Sequence, residues 1–145
     1  MKVQDIMTKP AIYISPGETA EVAARTLQKY NIGALPVCDA RGRLCGMVTD
    51  RDLVTRCMAA GKSPAQTLVR EVMTNQVTAV QPDMETGVAA HLMGRLQVRR
   101  LPVTEKGYIA GMISLGDLSK TEESVMDAAD ALTDICANVS DRTAW

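Results

Sequence analysis

Apolar and polar positions along the chain follow two rhythms in alternation. A short apolar run at Ala11–Ile14 is stopped by Ser15-Pro16-Gly17, which predicts a strand ending in a turn. From Thr19, a residue suited to cap a helix, Ala20, Ala23, Leu27 and Tyr30 fall on one helical face. Asn31 and Gly33 mark the end of that helix. Ala34–Cys38 and Leu44–Val48 are apolar runs joined by the polar Asp39-Ala40-Arg41-Gly42-Arg43, which predicts a hairpin. A second helix is predicted from Thr49 to Gly61. The second half reads the same way. It has a strand at Val77–Val80, a helix through Ala89, Met93 and Leu96, and strands near Leu101–Val103 and Tyr108–Ile113.

The likeness of the halves extends to identities. At a shift of 66, Asp5-Ile6-Met7-Thr8 lies on Glu71-Val72-Met73-Thr74, Pro16 on Pro82, and Leu35-Pro36-Val37 on Leu101-Pro102-Val103. One residue is lost in a turn, and at a shift of 65 Gly46-Met47-Val48-Thr49 lies on Gly111-Met112-Ile113-Ser114 and Asp52 on Asp117. The chain is an internal duplication. The expected organisation is repeat 1 over 1–61, repeat 2 over 62–120 and a tail over 121–145. Lys62–Leu68 is the connector, with Ser63-Pro64-Ala65-Gln66 as a short capped turn. The fold class is α+β, two strand-helix-strand-strand-helix repeats. Each repeat is too small to bury its own apolar face, so the two are expected to pack about a pseudo-two-fold axis. In the tail Val125, Ala128, Leu132, Ile135, Cys136 and Val139 fall at helical spacing. An amphipathic helix is expected there, seeking a surface on its own subunit or on a partner.

Composition narrows the functions available. At 145 residues, 46% hydrophobic and 23% charged, the chain has the balance of a globular protein. A net charge of −1, with 3% aromatics and no Phe, argues against coating nucleic acid or an anionic membrane. No apolar run reaches signal-peptide or membrane-spanning length. Cys38, Cys45, Cys57 and Cys136 are dispersed without a Cys-x-x-Cys spacing, which fits a reducing interior. A cytoplasmic location is expected.

The chemistry concentrates where the third strand of each repeat runs into a helix. Gly46-Met47-Val48-Thr49-Asp50-Arg51-Asp52 and Gly111-Met112-Ile113-Ser114-Leu115-Gly116-Asp117 each carry a hydroxyl with a carboxylate three residues later. That spacing is a capping box, and a purely structural role is open. The same corner offers amide N–H groups to an anion. Its hydroxyl can bond to a ribose or phosphate oxygen, and its carboxylate can accept from a sugar diol. Capping and binding are compatible.

With the paired Met-Thr starts, Ile32-Gly33-Ala34-Leu35-Pro36-Val37 and Val98-Arg99-Arg100-Leu101-Pro102-Val103, these corners resemble tandem cystathionine-β-synthase (CBS) domains, a Bateman module, over residues 1–120. The resemblance implies two clefts between the repeats and regulatory binding of AMP, ADP, ATP or S-adenosylmethionine. It also implies a homodimer. By that likeness Asp52 and Asp117 would hold ribose hydroxyls, and Thr49 and Ser114 would bond to ribose or the first phosphate. Adenine would lie near Ala11-Ile12 and Val77-Thr78, with Ile32 and Val98 beside it. Arg99 and Arg100 would meet phosphate. Their counterparts are Gly33 and Ala34, and Asp50-Arg51 stands where the second copy has Leu115-Gly116, so the two clefts are expected to be unequal.

Other constellations are weaker. Cys38 and Cys45 flank the hairpin turn and are expected to be cross-strand neighbours, either two small apolar residues or a redox or metal-sensing pair. His91 is the only histidine and no metal-ligand spacing accompanies it. Asp50 and Asp52, two apart, do not converge as an acid/base couple. No nucleophile-base signature is present, so no enzyme is expected. The expected function is a ligand sensor that needs no fixed cofactor and passes its state to an unknown protein partner or to self-association. The alternative is a dimeric scaffold or stress adaptor with empty clefts.

Overall fold

The computed structural model describes residues 1–140; the last five residues of the expected tail lie outside the described residues. The elements in order are α1 (Val3–Ile6), α2 (Ala20–Tyr30), β1 (Ala34–Cys38), β2 (Leu44–Thr49) and α3 (Asp50–Asp52). A π-helical turn, Leu53–Met58, continues α3. Then come α4 (Val69–Val72), α5 (Thr86–Leu96), β3 (Arg100–Glu105), β4 (Tyr108–Ser114), α6 (Leu115–Ser119) and α7 (Val125–Ser140). The strands form two small antiparallel sheets, β1-β2 and β3-β4.

The chain divides into two compact units. A first unit comprises Ala11–Val77 with Gly107–Ile109, and a second comprises Met1–Pro10, Thr78–Lys106 and the chain from Ala110 onward. The units are not contiguous. Residues 1–10, grouped with repeat 1 on sequence grounds, complete the unit of repeat 2, and the Met73-Thr74 segment completes the unit of repeat 1.

In the first unit, Leu35 pairs with Val48 and Val37 with Gly46, and all five β1 residues are buried. α2 covers them with Ala20, Ala23 and Leu27, while Tyr30, placed on the same face by periodicity, is 45% exposed. Thr19 Oγ1 caps α2 by accepting from the Val22 N–H at 3.2 Å, and Asn31 closes it with φ 52°. The predicted strand Ala11–Ile14 shrinks to one parallel bridge. Ile14 N–H donates to Pro36 O (3.0 Å), and Ile14 O accepts from Cys38 N–H (2.9 Å). Pro10 before it and Pro16 after it bracket the run too tightly for a longer ladder.

The Met73-Thr74 segment lies along β2. Thr74 N–H donates to Met47 O (2.8 Å), and Met47 N–H donates to Thr74 O (3.0 Å). A Cβ at Gly46 would stand 2.4 Å from Thr74 O, so only glycine admits this pairing. The one-turn α4 that leads in is closed by Glu71, whose Oε2 accepts from Leu68 N–H at 2.7 Å.

The second unit repeats the plan. Thr8 and Met112 exchange two backbone bonds (2.8 and 3.0 Å), and a Cβ at Gly111 would stand 2.7 Å from Thr8 O. Asp5 closes α1 as Glu71 closes α4, its Oδ2 accepting from Lys2 N–H at 2.8 Å. Val80 replaces the predicted strand Val77–Val80 with a single parallel bridge to Val103. Ala89, Met93, Leu101, Val103, Ile113 and Leu118 fill the core, whereas Leu96 is 41% exposed.

The helix predicted over Thr49–Gly61 is widened after its first turn. Ala59 N–H reaches Val54 O (2.8 Å) and Lys62 N–H reaches Cys57 O (3.0 Å), both with a spacing of five residues. The expected tail helix is present as α7 on α5 and α6, with Ala128, Ala131 and Ile135 as its buried line. Val125, Leu132 and Cys136 lie off that line and are exposed.

Candidate functional site

Each repeat contributes one corner, and each corner's residues fall within a single unit. In the first unit β2 ends at Thr49, whose Oγ1 accepts from Asp52 N–H (3.0 Å) while Asp52 Oδ2 accepts from Thr49 N–H (3.0 Å). In the second, Ser114 Oγ accepts from Asp117 N–H (3.1 Å) and Asp117 Oδ2 accepts from Ser114 N–H (2.9 Å). The capping-box role is therefore real in both, and losing such a hydroxyl costs about 1 kcal/mol. The corners are also pinned alike from behind. Asp50 N–H donates to Gly33 O (3.0 Å), and Leu115 N–H donates to Arg99 O (2.9 Å).

Capping uses one oxygen of each carboxylate. The other differs between corners. Asp52 Oδ1 faces the Arg56 guanidinium at 3.8 Å, and the Asp52 side chain is only 13% exposed. Arg56 is itself held by Val72 O and Met73 O, each at 3.2 Å. At the equivalent place in the second unit stands Thr121. Among the described residues no partner is placed on Asp117 Oδ1.

The flanks differ as well. Ile12 and Ile32 are half-buried against the core of the first unit, and Arg51 is exposed. Val98 is half-buried against the second core, and Thr78 is exposed. Arg99, exposed, and Arg100, half-buried, line a cavity of about 590 Å³ with Ser114, Leu115, Gly116 and Ser119. Asp117, Thr78 and Val98 are outside that lining. Its remaining wall is α7, through Val125, Ala128, Ala129 and Leu132. Periodicity marks Val125, Ala128 and Leu132 as apolar positions of a helix, yet nothing local ties them to the Arg99-Arg100 step.

The hairpin cysteines are not directly opposed. A bulge pairs Cys38 with Leu44 and Val37 with Gly46, which leaves Cys45 as the extra residue. Burial, with smaller contributions from Cys45 and Asp39, pushes the Cys38 thiol up to about 12. Such a thiol holds its proton and is a poor nucleophile. Asp39 organises the turn, its Oδ1 accepting from Arg43 and Arg41 N–H at 2.9 Å each. The Arg43 bond first of all holds that carboxyl below its usual range. Among the described residues no three His, Cys, Asp or Glu side chains are grouped to hold a metal, and no helix is long and apolar enough to cross a membrane.

Comparison with known proteins agrees with this geometry. The family model for the CBS domain matches residues 3–59 and 69–124. The CBS domain-containing protein YhcV of Bacillus subtilis is 39% identical over 133 residues, 92% of this chain and 94% of that protein. Among solved structures, Hypoxic Response Protein I with two coordinated zinc ions superposes with a TM-score of 0.77 at 31% identity, covering 83% of this chain and 98% of that one. The protein of that name from Mycobacterium tuberculosis is 32% identical over 117 residues, 81% of this chain and 82% of its own length. The CBS domain pair of protein MJ0100, in complex with 5′-methylthioadenosine and S-adenosyl-L-methionine, has a TM-score of 0.75 at 28% identity over 83% of this chain and 94% of its own.

Proposed function

The chain belongs to the CBS-domain family, and from that premise we propose that it is a non-enzymatic sensor of adenosine-type ligands. The ligand sits at the two strand-to-helix corners, and its occupancy passes to a protein partner or to self-association of a homodimer. The observation that carries this reading is the division of labour within each carboxylate. One oxygen of Asp52 or Asp117 is spent on the cap and fixes the side chain, so a ligand that meets the second oxygen adds little ordering cost. A ribose diol is the natural donor pair for it. The neighbour that binds S-adenosyl-L-methionine and 5′-methylthioadenosine supports an adenosine-type ligand.

The corners are unequal binders. Asp52 shares its second oxygen with Arg56, whereas Asp117 Oδ1 is open and the two arginines beside Ser114 favour an anionic group. Phosphorylated adenosines therefore prefer the second corner. Val98 with Thr78, and Ile12 with Ile32, flank the base. Binding works by linkage, since the ligand stabilises the arrangement that holds it.

Calorimetry and thermal shift with AMP, ADP, ATP and S-adenosyl-L-methionine test this. At 100 times Kd a ligand stabilises the fold by about 2.7 kcal/mol. The expected result is two unequal sites for AMP, the tighter lost in Asp117→Ala and the weaker in Asp52→Ala. Two identical sites would refute the asymmetry. No heat and no shift with any of the four would leave the scaffold reading in its place.

A further inference from the structure

The cavity at the second corner has a wall that its own repeat does not supply. One side carries Arg99, Arg100, Ser114 and Ser119, and the other is the apolar Val125, Ala129 and Leu132 of α7. We infer that α7 is a fixed, selectivity-setting part of the ligand site at the second corner, which takes a small anionic molecule with a compact apolar part. The inference rests on the reading of this corner as a ligand site and adds the element that decides what fits.

Three observations make the wall rigid rather than a passing cover. Ala128, Ala131 and Ile135 are buried, and Ala128 lies in both the core line and the cavity wall. The backbone of α7 approaches α5 closely, since a Cβ at Gly94 would stand 3.4 Å from Ala131 Cα and 2.8 Å from Asp134 Oδ2. The start of α7 is tied down by Ser124, fully buried, whose hydroxyl donates to Leu118 O at the end of α6. The wall thus moves with α6 and α5, and the space between it and the two arginines is set by the fold.

A volume of about 590 Å³ lies in the ordinary range for small-molecule sites. The anionic end of the ligand pairs with the guanidinium groups and hydroxyls, and its apolar part rests on α7. At the first corner the chain continues after α3 into the π-helical turn and then the connector, where the second corner has α7.

The test uses the whole chain, AMP as one probe and pyrophosphate as another, with amide and methyl NMR signals read at Gly116, Ala129, Asp50 and Arg51. Ala129 is exposed, so Ala129→Trp fills the cavity without disturbing the core. The expected result is at least a tenfold loss of AMP affinity read at Gly116, with the titration at Asp50 and Arg51 unchanged. Leu132→Ala, which removes wall without adding bulk, is expected to weaken AMP at Gly116 several-fold and serves if the tryptophan variant misfolds. AMP affinity at Gly116 within twofold of wild type in the folded variants would overturn the role of α7 while leaving the corner a nucleotide site. Pyrophosphate moving Gly116 and Ala129, blocked by Ala129→Trp, with no response to AMP, would uphold the wall and refute the adenosine reading. No response to either probe would refute both.

Discussion

The two corners have the same bonds and different surroundings. Thr49 with Asp52, and Ser114 with Asp117, exchange the same pair of capping bonds within about 0.1 Å. Around the first, Arg56 stands 3.8 Å from the spare carboxylate oxygen and ties the π-helical turn to Val72 and Met73. Around the second, the arginine is replaced by Thr121, whose hydroxyl meets Ser124 at the start of α7. The duplicated part is what the backbone needs in order to turn. The diverged part is what borders that turn, so the copies keep a common frame and differ in their surroundings.

The largest effect is expected from breaking the common frame. Gly46→Ala and Gly111→Ala put a Cβ against a carbonyl oxygen that the paired backbone cannot withdraw. Each should destabilise the fold by about 3 kcal/mol in urea titration, at the upper end for overpacking. Gly46→Ala should be the worse, since its contact is 2.4 Å against 2.7 Å. Equal and small losses would mean that the Met-Thr segments are not held against β2 and β4.

Arg56→Ala sharpens the difference. It removes bonds to Val72 O and Met73 O and should cost about 1–2 kcal/mol. It should also free Asp52 Oδ1, so that AMP affinity at the first corner moves toward that at the second. An unchanged affinity ratio in calorimetry would show that the ion pair does not set the asymmetry.

The smallest effect is an alkaline one confined to the first unit, where Cys38 is buried. Burial pushes its thiol from an ordinary 9.0 up to about 12. Stability from keeping the thiol protonated is therefore complete below pH 9 and is lost as pH rises from 9 toward 12. The urea midpoint of the wild type should fall more between pH 8 and 10.5 than that of Cys38→Val. Parallel declines would remove the thiol as the cause.

Much of the fold was legible because it is local. Thr19 and Asn31 are read as the ends of α2 from residue type alone, and Asp39 with Gly42 as the hairpin turn. The hydroxyl-x-x-carboxylate spacing announced both caps. What escaped reading depends on distant partners. Ala11–Ile14 has strand composition but only one residue of ladder to pair with. Leu96 and Tyr30 fit the helical period yet lie at C-terminal ends that extend past the core. Cys38 and Cys45 look opposed until the bulge shifts the register by one.

The candidate site divides along the same line. Residue chemistry singled out Thr49 with Asp52 and Ser114 with Asp117, since a hydroxyl-x-x-carboxylate spacing announces itself, whereas Arg99 and Arg100 were marked only by the resemblance to CBS domains. Sequence alone also determined the duplication, because matching turns and glycines need no coordinates to compare. Only the tertiary structure decided that residues 1–10 complete the unit of the second repeat, that Arg56 reaches back to Asp52, and that α7 walls the cavity beside Arg99 and Arg100. Those outcomes turn on which backbone or apolar surface lies within a few ångströms of another. A linear pattern fixes what a segment can bury, and the packed chain fixes against what.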